Sequence, residues 1–162
     1  MESNADFKDL LRDFNESGVR YLIVGAHAVM FYTEPRFTKD LDIWIEGTAR
    51  NARRVWTALL RFGAPLADVK PDDFLVGDLV YQIGVAPNRV DILMGLPGIR
   101  FPTAWRNRKA VRFLGVRAYI LSRRDLIRSK RKAGRPQDML DLAWLRHPGG
   151  PVRKRRRGRR KA

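Results

Sequence analysis

The chain contains no cysteine. That excludes a disulfide scaffold, a thiolate zinc site and a cysteine nucleophile, and it fits a reducing cytoplasm, the compartment expected here. Two histidines, His27 and His147, are too few for a histidine-rich metal cage. No apolar run approaches the roughly 20 residues that a membrane-spanning helix needs, so no membrane partner is expected. The opening MESNADFKDL is polar and acidic, unlike a secretory leader. Acids are scarce as well: 17 Asp and Glu stand against 33 Lys and Arg, a formal net charge of +16.

What is present suffices for one core. The chain has 162 residues, of which 44% are hydrophobic, in keeping with a single globular domain. The charge is unevenly spread. Arg153 to Lys161 holds eight basic residues and no acid, which leaves +8 on the rest of the chain. Such a segment has no apolar surface to bury, so a domain over 1–148 and a disordered basic tail over 149–162 are expected. The tail is either a solvated end or a phosphate-binding arm for RNA or another polyanion, acting by counterion release.

Hydrophobic spacing predicts the elements. Phe7, Leu10, Leu11 and Phe14 place an amphipathic helix over 5–17. VRYLIV (19–24) reads as a buried strand ended by Gly25, followed by a short helix over 26–33 that Pro35 stops. DLDIWIE (40–46) alternates with period two, a strand, and 49–62 is a second amphipathic helix closed by Gly63. Strands are expected at 78–85 and 89–94, a loop over 95–103, a helical turn over 104–110 and one or two strands over 111–121. Ser122 with Asp125 opens a helix to 133, and Pro136 starts the last, to 146. The fold class is therefore α/β or α+β, a mixed sheet flanked by helices.

Three acids carry the chemistry. Asp40 and Asp42 lie two apart on a strand, so both point to one face while Leu41, Ile43 and Ile45 point to the core. Adjacent carboxylates repel unless a positive charge stands between them, and a divalent cation, Mg²⁺ or Mn²⁺, supplies it through hard oxygen ligands. Asp91, framed by Val90 and Ile92, would complete a three-carboxylate site if its strand lies beside the first. The same spacing also describes an alternating edge strand with acids facing solvent. Gly25, where a strand enters a helix, lets backbone approach a phosphate at a helix N-terminus.

VRYLIVGAHAVMFY followed by PRFTKDLDIWIE resembles the nucleotidyltransferase superfamily, whose fold is shared with DNA polymerase beta. VYQIGVAPNRVDILMGLPG and LIRSKRKAGRPQDMLDL resemble a group within it, small bacterial nucleotidyltransferases of unknown substrate related to AbiEii-type toxins. The likeness covers roughly residues 5–146. It implies that Asp40, Asp42 and Asp91 bind the metal and that Asp91 helps activate an attacking hydroxyl. It also implies that Gly25 and Ala26 form the phosphate-binding turn, with Ala26 standing where the family has Ser or Gly. Lys130, Asp138 and Asp141 match a lysine and an acid-x-x-acid helix that line the site in the toxin relatives.

Further residues follow by position. His27 is a side-chain donor beside the turn, or a helix-start histidine bonded to backbone or water. Arg36, Thr38 and Lys39 precede the acid pair and suit triphosphate binding, or form a solvated loop. Lys130 lies in SKRKAGR, otherwise a solvated basic face, and Asp138 and Asp141 share a helix face that could hold Lys130 or Arg135 by ion pairing. Core packing is expected of Trp44 and Trp56, and packing rather than base stacking of Trp105. The expected activity is metal-dependent transfer of a nucleotidyl group from a nucleoside triphosphate to a hydroxyl, on RNA such as tRNA or else on a protein or small molecule; a toxin restrained by an antitoxin is a rival biological role compatible with it. The alternative is an inactive nucleic-acid-binding protein of the same fold.

Overall fold

The computed structural model describes residues 3–147 apart from 39, 76, 78 and 86. The basic segment 149–162 and Lys39 therefore lie outside the described residues.

Helix α1 (Ser3–Glu16) buries Phe7, Leu10, Leu11 and Phe14, the spacing that one face of a 3.6-residue repeat requires. Strand β1 (Tyr21–Val24) is buried along its whole length and runs directly into α2 (Gly25–Tyr32). Then come β2 (Asp40–Ile45), α3 (Ala49–Phe62), a 3-10 turn (Pro71–Leu75), β3 (Val80–Ile83) and β4 (Arg89–Leu93). Helix α4 (Phe101–Arg106), β5 (Lys109–Phe113), β6 (Val116–Ile120), α5 (Arg123–Ala133) and α6 (Pro136–Arg146) complete the order.

The six strands form one mixed sheet in the order β3-β4-β2-β1-β6-β5. The β3/β4 and β5/β6 hairpins flank an antiparallel β1/β2 centre, joined to it by the parallel pairs β2/β4 and β1/β6. This is the mixed α/β architecture expected. Helices α1 and α3 pack on each other, and α5 and α6 pair and both meet α2.

Three stretches differ from expectation. Strand β3 is shorter than 78–85, spanning Val80–Ile83. The loop after β4 ends sooner than 103, because α4 starts at Phe101 with Pro102 in its first turn, where a missing N–H costs nothing. The stretch 111–121 is a hairpin beginning at Lys109. Leu114 (φ 51°) and Gly115 (φ 77°) form its turn, both left-handed as a tight two-residue hairpin demands.

One buried polar residue locks the centre. Asn51, 1% exposed, accepts from the Arg20 backbone N–H at 2.8 Å and donates to the carbonyls of Arg20 (3.0 Å) and Glu46 (2.9 Å). Its own N–H is capped by Thr48 Oγ1 at 3.2 Å. The start of β1, the end of β2 and the first turn of α3 are thus tied through a single side chain. Asn51→Ala removes the side-chain partner of three backbone groups, of which, among the described residues, only the Arg20 carbonyl keeps another bond, from the Glu46 N–H at 3.2 Å. A loss of about 2–4 kcal/mol of stability is expected in urea denaturation, against under about 1 kcal/mol for the exposed Arg50→Ala.

Candidate functional site

The site is assembled by strand register. On β2, Asp40 and Asp42 share a face by alternation. The parallel pairing with β4 sets Asp40 opposite Arg89 and Asp42 opposite Asp91. Neighbouring strands lie about 4.8 Å apart, so the Asp42 and Asp91 carboxylates stand side by side. On the far side of β4, Gln82 of β3 is in register with Asp91. On the other side of β2, Val24 pairs with Asp42, and Gly25 follows it.

Gly25 adopts φ +64°, and a Cβ there would stand 2.0 Å from Asp42 Oδ2. The glycine expected to admit a phosphate therefore makes room first for a carboxylate. Burial, then the charges of Asp91 and Asp40, push the Asp42 carboxyl up to about 6, with Lys130 and Arg89 pulling the other way. Arg89 donates from Nη2 to Asp40 Oδ2 at 2.7 Å and from Nε to Asp91 Oδ1 at 2.9 Å. Among the described residues, the buried Asp40 Oδ1 has no hydrogen-bond partner.

A second charged cluster comes from α5 and α6. Lys130 Nζ lies 3.1 Å from Asp138 Oδ1 and 2.8 Å from Asp141 Oδ2. Arg135 contacts Asp138 Oδ2 through both its backbone N–H and Nε, and Arg36 pairs with Asp141. Burial alone would raise both carboxyls, yet the bonds from Arg135 and Lys130 to Asp138, and from Arg36 and Lys130 to Asp141, hold them below their ordinary values. Three cations and two anions leave this cluster at +1, facing the acids across a cleft of about 700 Å³, a size suited to a small organic ligand.

The structure thus brings together Gly25, Asp40, Asp42, Asp91, Lys130 and Asp138 along one cleft. The other expected residues fall elsewhere. Ala26 and His27 follow on α2 without lining it. His27 packs edge-on between Phe7 and Phe113, where burial lowers its pKa, so it is not a donor at the turn. Arg36 and the fully buried Asp141 bond each other behind Lys130 rather than facing the cleft. Asp138, which lines the cleft, and Asp141 behind it both hold Lys130 by ion pairs. Thr38 Oγ1 bonds the Asp40 backbone, shaping the entry to β2. Trp105 stacks on Phe101 and carries the Arg108 guanidinium 3.9 Å from its centroid, as packing predicts.

Sequence reasoning passed over Arg89 and Gln82. Alternation on β4 was the available signal for Arg89, since it stands two residues before Asp91 and shares its face.

No set of three or more His, Asp or Glu side chains among the described residues is arranged to hold a metal ion. The donor chemistry nonetheless suits a hard divalent cation: three carboxylates on one face, one with an orphaned buried oxygen, another disfavoured as an anion. Arg89 is the present counter-charge between two of them.

No protein-family model matches the chain, and no curated protein matches it in sequence.

The raised Asp42 pKa sets a pH dependence. The folded protein holds this proton more tightly than the unfolded chain does, so the group's contribution to stability falls as pH rises from about 4 through about 6. In metal-free buffer, Asp42→Asn should match the wild type below pH ~4. Above pH ~6 it should be more stable by up to about 3 kcal/mol. Thermal denaturation across pH 4–8 checks this, and a difference independent of pH would contradict it.

Proposed function

We propose that the protein is a metal-dependent nucleotidyltransferase that moves a nucleotidyl group from a nucleoside triphosphate to a hydroxyl on RNA. The observation that carries this reading is the cross-strand register of Asp42 with Asp91, with Asp40 on the same face. It gathers three carboxylates at the floor of a cleft whose opposite wall is cationic. That arrangement suits a triphosphate whose reacting phosphate must lie beside cation-binding acids. It also agrees with the likeness of the four sequence blocks to the nucleotidyltransferase superfamily.

In this reading Asp40, Asp42 and Asp91 hold the cation. When bound, Mg²⁺ or Mn²⁺ would neutralise charge on the α-phosphate and lower the pKa of the attacking hydroxyl. Asp91 takes the hydroxyl proton as the oxygen forms its bond to the α-phosphorus. The bond from that phosphorus to the α–β bridging oxygen breaks, and pyrophosphate leaves. Lys130, fixed by two buried carboxylates, offers its charge to the phosphates from the α5 wall.

A polyanionic acceptor is favoured by the outer face of α5. Arg124, Arg128, Arg131 and Lys132 are exposed along a groove beside Gly98, one residue beyond the Gly95–Pro97 segment that lines the cleft. Like charges at i, i+4 destabilise a helix, and no carboxylate of the described residues forms an ion pair with these four. Phosphodiesters would offset that cost.

One observation favours a second reading, an inactive nucleic-acid-binding protein: the acids already hold a guanidinium, so they have a counter-charge without metal. A role as a toxin restrained by an antitoxin belongs to the first reading and predicts growth arrest on expression, relieved when Asp40 and Asp42 are replaced.

The protein is incubated with each α-labelled nucleoside triphosphate, Mg²⁺ and total RNA, beside an Asp40→Ala/Asp42→Ala variant. Label is expected in RNA with one triphosphate and to fall at least about 100-fold in the variant. Absence of label together with unchanged RNA binding by the variant would select the second reading. In a separate assay, Arg124→Gln/Arg128→Gln should lower the slope of log affinity for RNA against log salt by about 1.5–2, as loss of two phosphate contacts requires.

A further inference from the structure

The two charged clusters of the cleft differ in closure. In the α5/α6 cluster every carboxylate oxygen is engaged. Asp138 Oδ1 accepts from Lys130 and Oδ2 from Arg135, while Asp141 Oδ1 accepts from Gln137 and Oδ2 contacts Lys130. Lys130 is 11% exposed in its side chain and held by both partners. Nothing there is left to satisfy.

The cluster on β2 and β4 is open. Arg89 spans two strands, reaching Asp40 Oδ2 at 2.7 Å and both oxygens of Asp91 at 2.9 and 3.2 Å. It leaves Asp40 Oδ1 buried without a partner, and Asp42 has no ion pair among the described residues. Three carboxylates and one guanidinium carry a net charge of −2. The Arg89 side chain is 33% exposed and lines the cleft, so its head can leave without unpacking the core. A planar fork with donors in one plane suits carboxylates in pairs. It engages Asp40 and Asp91 but not Asp42, whereas a hard cation could draw on oxygens of all three.

We infer that Arg89 is the stand-in for the divalent cation: its guanidinium bridges Asp40 and Asp91 while no cation is bound, and it gives up the carboxylates to become a phosphate-binding group when one is. This rests on the metal-dependent reading above and adds a positioning residue to it. Two consequences separate it from a merely structural arginine. Arg89 competes with the cation, so removing it tightens cation binding rather than weakening it. The displaced guanidinium contacts the triphosphate, so the same change weakens nucleotide binding once the cation is present. A structural arginine would do the reverse at the first step, because its loss would let the carboxylates splay.

The test uses the full chain and Mn²⁺ as the probe, titrated by electron paramagnetic resonance of the free ion for the wild type, Arg89→Gln and Arg89→Lys. Arg89→Gln is expected to bind Mn²⁺ at least about tenfold more tightly, since charge-assisted bonds to two carboxylates no longer compete. Arg89→Lys, which keeps the charge but cannot bridge two strands in one plane, falls between, and it carries the test if Arg89→Gln does not fold by circular dichroism. With Mn²⁺ saturating, affinity of Arg89→Gln for a non-hydrolysable nucleoside triphosphate is expected to fall about tenfold or more. Equal or weaker Mn²⁺ binding by the variants overturns the inference and leaves the metal-dependent reading intact. No Mn²⁺ binding by any of the three proteins overturns the metal-dependent reading itself and this inference with it.

Discussion

The pairing of β2 with β4 forces Asp42 against Asp91, and most of what is unusual in the molecule answers that repulsion. Two carboxylates on adjacent strands destabilise each other unless charge or protons intervene. Both kinds of answer are visible. Asp42 is pushed towards its protonated form by burial and by its acidic neighbours, and Arg89 spreads its positive charge over the other two. Gly25 contributes by absence, since any side chain at that point would collide with the Asp42 carboxylate. A fold that merely needed a buried strand would place apolar residues at these three positions. Retaining the acids costs stability.

Rigidity comes from elsewhere. Asn51 ties β1 to β2 at the end remote from the acids, through bonds to three backbone groups. Trp44, on the same face as Asp40 and Asp42 but one step further along, is buried edge-on against Phe101. The face thus changes character along β2 from carboxylate to core within a few residues. The acids sit at the open end, where the strand is fed by the loop containing Thr38. The packed end fixes their direction.

The opposite wall is held by a different economy of charge. Asp138 and Asp141, one turn apart on α6, are buried only because Lys130, Arg36 and Arg135 neutralise them. A buried ion pair gains little net stability, but breaking one strands a charge and is costly. The network therefore specifies where α5 and α6 dock more than it strengthens the fold, and it sets Lys130 in a single position facing the acids. Arg36 extends the network to the loop before β2, so the two walls of the cleft are mechanically joined.

Much of this was legible along the chain. Amphipathic spacing in α1 and α3, the capping serine of α5, the proline opening α6 and the alternation of Asp40 and Asp42 with Leu41 and Ile43 are local patterns, and local backbone physics reads them directly. Those patterns determined the elements, the mixed sheet with flanking helices, and the fact that two acids share one strand face. Other features were not local. That Asp91 lies opposite Asp42 depends on a parallel crossover between strands some fifty residues apart. That Arg89 answers Asp40, and that His27 is enclosed by Phe7 and Phe113, depends on which strands and helices become neighbours. Periodicity along a chain assigns each side chain to a face. Only strand order and register decide what stands across from it, because those are set by burying the whole apolar surface at once and not by any one segment.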